Sequence, residues 1–361
     1  MKKHPYIGLP DRQFWKNEKG IREPSLFDPV GKVSFTIGKD EPVVTAGSCF
    51  AQHVSRYLKE YGFNFHVAEH PHPMVAPKLA QKFNYGLFSA RYGNIYTARQ
   101  LRQLIERAYG LFIPVEDIWL DSTGRPVDSF RPQIHPGGFI SVAELHQDRK
   151  VHLHAVRNAV ENMAVFVFTL GLTEAWIDKR DGAVFPLAPG VAGGKWDPGQ
   201  FQFHNFDVRE VAEDMQWSVD FIRQINPAVR IIITVSPVPL NATALDRHVF
   251  VSTTYSKSVL RIAAEVLCKA NSKCDYFPSY EIITSPYARG AYFGPDCREI
   301  AADGVSHVMS LFLKHYGNID ASARHAKTPE KDVASEVQDL HFKKMEANIE
   351  ILCDEEAINN R

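Results

Sequence analysis

Ser48 is the residue of this chain best set to do chemistry. It follows Val43-Val44-Thr45-Ala46-Gly47 and precedes Cys49-Phe50-Ala51-Gln52-His53-Val54-Ser55-Arg56-Tyr57-Leu58. A β-branched run ends in a small-residue corner, and an amphipathic run starts after it. That pattern predicts strand, corner and helix. A serine at such a corner lies at the carboxyl edge of a sheet, with its own N–H near the positive end of the next helix. Acyl chemistry uses that geometry: a nucleophile beside an oxyanion donor. Serine is also a preferred helix N-cap, and no Gly-x-Ser-x-Gly elbow is present, so residue types alone favour the cap. Cys49 is the other nucleophile to weigh, because a helix N-terminus lowers a thiol pKa. A small buried side chain at the helix start is its simpler role.

Other chemistry-bearing residues are scattered. His66, His70 and His72, and separately His152 and His154, have spacings that suit zinc, but no cysteine or carboxylate nearby completes either set. No metal and no cofactor is therefore expected. His204, between Phe203 and Asn205-Phe206, is a candidate base. Gly190-Val191-Ala192-Gly193-Gly194-Lys195 is one residue short of a phosphate loop, and Trp196 replaces the magnesium-binding hydroxyl. A nucleotide site is rejected there, while Lys195 is kept as a contact for an anionic substrate.

The elements that must position these residues follow from periodicity. Strands are predicted at Pro42–Thr45, Phe63–Val67, Val165–Leu170, Arg230–Val235 and Asp275–Phe277. Helices are predicted at Cys49–Tyr61, Thr97–Tyr109, Val151–Met163, Asp207–Ile225, Ser252–Ala270 and Asp303–Tyr316, with Thr97 a natural N-cap. Ile118–Ile134 reads as a hairpin turning at Asp121-Ser122-Thr123-Gly124, and Trp176–Phe185 as another turning at Asp181-Gly182. Strands alternating with helices imply a mainly parallel sheet covered on both faces. The fold expected is an α/β, three-layer α/β/α, flavodoxin-like sandwich. It would span 1–317, with an insertion at about 68–148 and residues 1–40 wrapping the surface. Residues 318–361 are polar and charged, with a weak helical pattern at Val333–Ile351. They read as an appended helix or a tail for an unidentified protein partner.

Composition narrows the function classes. The chain has 361 residues, 45% of them apolar and 23% charged, with a net charge of −1. Bulk charge indicates neither nucleic acid nor an anionic membrane. No window has the apolar length of a membrane span, and the basic start Met1-Lys2-Lys3 lacks an apolar core behind it. The cysteines at 49, 268, 274, 297 and 353 are odd in number and match no redox or zinc spacing. A reducing, cytoplasmic setting is the expectation.

Gly47-Ser48-Cys49-Phe50-Ala51 resembles the name-giving motif of the GSCFA family, itself similar to the SGNH, or GDSL-like, hydrolases. The resemblance runs from about His4 to about Tyr316. It includes Tyr92-Gly93-Asn94-Ile95-Tyr96-Thr97, Thr169-Leu170-Gly171-Leu172-Thr173-Glu174-Ala175-Trp176, Ser236-Pro237-Val238-Pro239 and Gly304-Val305-Ser306-His307-Val308-Met309. It implies Ser48 as nucleophile, and oxyanion donors from the Ser48 N–H, Gly93 with Asn94 beside it, and Thr173. Threonine stands where SGNH relatives usually carry asparagine. The resemblance also implies an Asp-x-x-His pair near the carboxyl end, and here the pattern departs. Asp303 and His307 have one extra residue between them, while Asp296-Cys297-Arg298-Glu299 keeps the spacing with glutamate for histidine. His307 as base and Asp303 as its orienter keep the chemistry, with Glu299 and His204 as the substitutes.

The resulting expectation is acyl-ester chemistry on a carbohydrate or other small polar ester, by hydrolysis or by O-acyl transfer. An acyl donor such as a coenzyme A thioester is compatible with it. The rival classes are a non-catalytic ligand-binding relic of the fold and a scaffold that binds partners through its tail.

Overall fold

A computed structural model describes residues 4–319 and 354–359. In chain order the elements are β1 (Val43–Gly47), α1 (Ala51–Glu60), α2 (Pro77–Lys82), α3 (Ala98–Ala108), β2 (Ile118–Leu120) and β3 (Pro126–Asp128). Next come α4 (Val142–Asn162), β4 (Val165–Leu170), β5 (Glu174–Asp178), β6 (Val184–Phe185), β7 (Phe201–Asn205) and α5 (Val208–Ile225). The chain continues through β8 (Arg230–Val235), α6 (Val249–Ala270), β9 (Cys274–Phe277), α7 (Ser279–Thr284) and α8 (Ala302–Gly317). A 3₁₀ segment, Asp354–Asn359, follows.

The central sheet is parallel throughout, in the order β1-β4-β8-β9. Phe65 bridges Val43 on the outer side of β1, where the Val43 N–H bonds the Asn64 carbonyl at 2.8 Å and the His66 N–H bonds the Val43 carbonyl at 2.9 Å. With that stub counted, the order is the flavodoxin-like 2-1-3-4-5. Side chains alternate along each strand, so one sequence run feeds two cores. Val44, Ala46, Phe166, Phe168, Ile231 and Ile233 face one core, together with α3, α4, α5 and α6. Val43, Val165, Val167, Ile232 and Phe277 face the other, with α1, α7 and α8. This is the three-layer α/β/α arrangement.

Several boundaries differ from the sequence expectation. The strand at Phe63–Val67 contracts to one bridged residue. α1 starts at Ala51 rather than Cys49, and α6 at Val249 rather than Ser252. α4 starts at Val142, capped by the Ser141 hydroxyl on the Glu144 N–H, so His152 lies inside that helix and does not open it. β7 pairs with β5, which adds a third strand to the expected hairpin. The helical pattern at Val333–Ile351 lies outside the described residues.

Buried charge holds the insertion. Arg91 pairs with Glu69 at 3.3 Å and with Asp148 at 2.8 Å, and Arg131 pairs with Asp148 and Asp128, each at 2.9 Å. Arg131 also donates to the Arg91 carbonyl at 3.2 Å. These bonds fix the backbone just before Tyr92-Gly93-Asn94, the loop that reaches Ser48. Among the described residues no helix is long and apolar enough to cross a membrane.

Candidate active site

Gly47 ends β1 with φ +133°, and a β-carbon there would stand 2.2 Å from the Thr169 carbonyl oxygen. Glycine is therefore required for β1 to lie against β4 and turn. Ser48 is the next residue. Its N–H donates to the Thr169 carbonyl at 3.1 Å, continuing the β1–β4 ladder by one step. Its carbonyl accepts from the Ala51 N–H at 2.8 Å. Phe50 occupies the N-cap position of α1, and no side chain caps that helix. The expected capping role is thus absent, because the turn is closed by backbone bonds. The Ser48 hydroxyl is buried and has no hydrogen-bond partner among the described residues. Buried hydroxyls are nearly always bonded, since an orphan costs about 1–3 kcal/mol.

The loops after β1, β4 and β8 meet at one carboxyl edge. The Ile95 N–H bonds the Gly47 carbonyl at 2.8 Å, and the Gly171 and Leu172 N–H groups both bond the Tyr96 carbonyl at 3.0 Å. The Ser236 N–H bonds the Leu170 carbonyl at 2.8 Å. A cleft opens there, lined by Ser48, Tyr96, Gly171, Leu240, Lys257 and Glu355 among others. Lys257, on α6, is buried, and its Nζ donates to the Gly171 carbonyl at 2.6 Å. Burial pushes its pKa down to about 8, against the upward pull of Glu355 and Cys49.

The residues expected at the site separate into two groups. Gly93 turns with φ +71°, and Asn94 is buried beside it, on the loop that bonds Gly47. The Asn94 side chain accepts from Gln52 Nε2 at 3.0 Å and donates to Asp354 Oδ2 at 2.9 Å. Cys49 lines the cleft. Thr173 is committed elsewhere: its hydroxyl donates to Asn205 Oδ1 at 2.6 Å and its N–H to Ser256 Oγ at 3.0 Å.

His307 is not among the residues that line the cleft. Its Nδ1 is 2.8 Å from the Tyr292 hydroxyl, and its Nε2 is buried without a hydrogen-bond partner among the described residues. Because Ser48 Oγ is likewise unpartnered, no hydrogen bond joins the two. Asp303 is exposed in the first turn of α8 and makes no hydrogen bond to the His307 ring. His204 is held by Glu210 at 2.8 Å, beside the α5 cap. Glu299 and Lys195 are exposed. His152 is buried against Glu69 at 2.8 Å, a structural pairing, and among the described residues no cluster of three or more potential ligands could hold a metal ion.

The GSCFA family profile matches residues 42–312, from the first residue before β1 into α8. The chain belongs to the GSCFA family. No curated protein matches this GSCFA chain. Among solved structures it is similar to one assigned as a platelet activating factor from Streptococcus pneumonia. The identity is 13%, covering 60% of this chain and 92% of that one, with a TM-score of 0.27. It is also similar to a carbohydrate esterase family 2 enzyme plus carbohydrate binding domain from Corynascus thermopiles (Myceliophthora fergusii). Here the identity is 11%, covering 81% of this chain and 68% of that one, with a TM-score of 0.29.

Three residues at the cleft of this GSCFA chain escape the sequence reading. Lys257 sits on the buried stripe Ser252, Ser256, Val259, Leu260, Ala263 and Ala264 of α6. A charged residue on an apolar helical stripe was the available signal. Arg298 and Glu355 pair at 3.0 Å across 57 residues of sequence. No local pattern announces that contact.

Proposed function

We propose that this chain performs acyl-ester chemistry with Ser48 as the nucleophile. The observation that carries the reading is the Ser48 hydroxyl, buried at the carboxyl edge of the sheet, lining a cleft and without a hydrogen-bond partner among the described residues. Ser48 Oγ attacks the acyl carbonyl, and its proton passes to a base. Collapse of the tetrahedral intermediate expels the alcohol and leaves an acyl-serine. Water or a sugar hydroxyl then takes the acyl group, giving hydrolysis or transfer on a carbohydrate or other small polar ester, in the cytoplasm.

Lys257 is the base this reading favours. It lines the same cleft, and its lowered pKa gives a useful fraction of neutral amine near pH 8. His307, with Asp303 as orienter, serves only if its ring leaves Tyr292 and reaches Ser48. For the oxyanion, the Gly93 N–H is a donor on the right edge, and the Asn94 side-chain amide joins it once Asp354 releases it. The Ser48 N–H and Thr173 are already bonded elsewhere.

A non-catalytic ligand-binding protein is the second reading, favoured because no base among the described residues is hydrogen-bonded to Ser48. Turnover of p-nitrophenyl acetate by the full chain separates the two. The ester reading expects turnover that Ser48→Ala removes. Equal rates for wild type and Ser48→Ala overturn it.

A further inference from the structure

Asp354 and Glu355 return to the cleft from the far end of the sequence, and they do so with their carboxylates inward. Both are buried, with 4% and 8% of their surface exposed. A segment docked only for stability buries apolar side chains, because burying a carboxylate costs several kcal/mol unless it is paired and bonded. Here the cleft supplies the pairing. Arg298 Nη2 lies 3.0 Å from Glu355 Oε2, and Lys257 lines the cleft beside Glu355. Asn94 Nδ2 donates to Asp354 Oδ2 at 2.9 Å, and Asn241 Nδ2 to the Glu355 carbonyl at 2.8 Å. The Asp354 N–H donates to the Tyr96 hydroxyl at 3.1 Å. These five residues come from the loop before α3, the loop after β8, α6 and the turn before α8. They converge where the parallel strands end, the usual place for a ligand in such sheets.

We infer that the cleft beside Ser48 contains a binding subsite for a carboxylate-bearing ligand, which the chain's own Asp354-Glu355 fills as an intramolecular competitor. The inference rests on the ester-chemistry reading above and deepens it: the substrate is an ester that carries an acidic group. Arg298 holds that group, and Asn241 reads the polar atoms flanking it. Binding of such a substrate requires the Asp354–Asn359 segment to leave. A tethered competitor acts at an effective concentration that can reach the millimolar range, so it screens out weak ligands.

Glutarate, with glutaramide as the uncharged control, tests this on the full chain. Hydrogen exchange is followed at the amides of Asp354–Asn359 while glutarate is titrated into the wild-type protein. The expected result is faster exchange there with glutarate and no change with glutaramide. Calorimetry on Asp354→Asn/Glu355→Gln should show glutarate binding roughly ten-fold tighter than in wild type. Adding Arg298→Gln should abolish that gain. No change in exchange at saturating glutarate overturns the inference, as does equal response to glutaramide. The wild-type arm needs no variant to fold. Fluorophosphonate labelling of Ser48, run in parallel, separates the two readings. Glutarate binding without labelling sinks the ester reading and leaves the subsite; labelling without glutarate binding does the reverse.

Discussion

A β-carbon added to Gly171 would stand 3.0 Å from the β-carbon of Ser48. The same carbon would stand 3.0 Å from the Tyr96 carbonyl oxygen, which is pinned by the N–H groups of Gly171 and Leu172. Tyr96 cannot retreat without losing both bonds, so Ser48 must give. Gly171→Ala is expected to cost about 1–3 kcal/mol of stability by overpacking. Ester turnover should fall through kcat rather than KM, because the nucleophile is displaced while the cleft mouth is untouched. Urea unfolding and steady-state kinetics on the variant check both parts.

Gly47 allows no such accommodation. A β-carbon at 2.2 Å from the Thr169 carbonyl oxygen meets backbone of the central strand, and φ of +133° is closed to other residues. Gly47→Ala should lose more than about 3 kcal/mol, combining strain and steric clash. Soluble yield and thermal unfolding are the measurements. A variant as stable as wild type would mean that β1 and β4 do not approach as described.

The identity of the base is readable from a pH profile. A base must be deprotonated, so kcat/KM rises as pH passes through its pKa. With Lys257 the limb lies near pH 8. With His307 it lies below the ordinary histidine range, because burial lowers that ring's pKa against the pull of the Phe27 carbonyl and Asp28. Lys257→Met should erase the limb and cost on the order of 10²-fold. His307→Ala should leave the limb in place. The opposite pattern returns the role to His307.

Docking of the Asp354–Asn359 segment should weaken as pH rises. Burial raises the Asp354 pKa to about 6, with Glu355 adding repulsion and the Asn94 bond opposing. Glu355 is also raised, by burial, against Arg298 and Lys257. Released, a carboxyl titrates near its ordinary value of about 4. Docking is therefore fully favoured below pH 4 and loses strength as pH climbs through about 6. Hydrogen exchange of the Asp354–Asn359 amides in Ser48→Ala, compared at pH 5 and pH 7.5 after correction for intrinsic rates, should show less protection at the higher pH. Constant or rising protection would contradict the assignment.

What the sequence made legible follows from where burial is apolar. Val43-Val44, Val165–Leu170 and Arg230–Val235 are β-branched and aromatic runs buried on both faces, and each forms its expected strand. The Gly47-Ser48 corner was visible because only glycine and a small residue suit it. Periodicity failed where the buried face is charged. The first turns of α4 bury Arg149 and His152 beside Leu145, so the stripe reads as polar and periodicity places the helix start nine residues late. The return of Asp354-Glu355 to the cleft could not be read, since a short acidic string carries no information about a partner more than fifty residues away.

The central claim is that Ser48 takes an acyl group. Intact-mass and peptide mass spectrometry of the full chain, quenched during turnover of p-nitrophenyl acetate, reads it directly. The account predicts a +42 Da acetyl adduct, the mass expected of acetylation by simple formula arithmetic (~42 Da), on the peptide holding Ser48, assigned to the serine and absent from Ser48→Ala. Turnover with Ser48 unmodified, or with the adduct on Cys49, would contradict it.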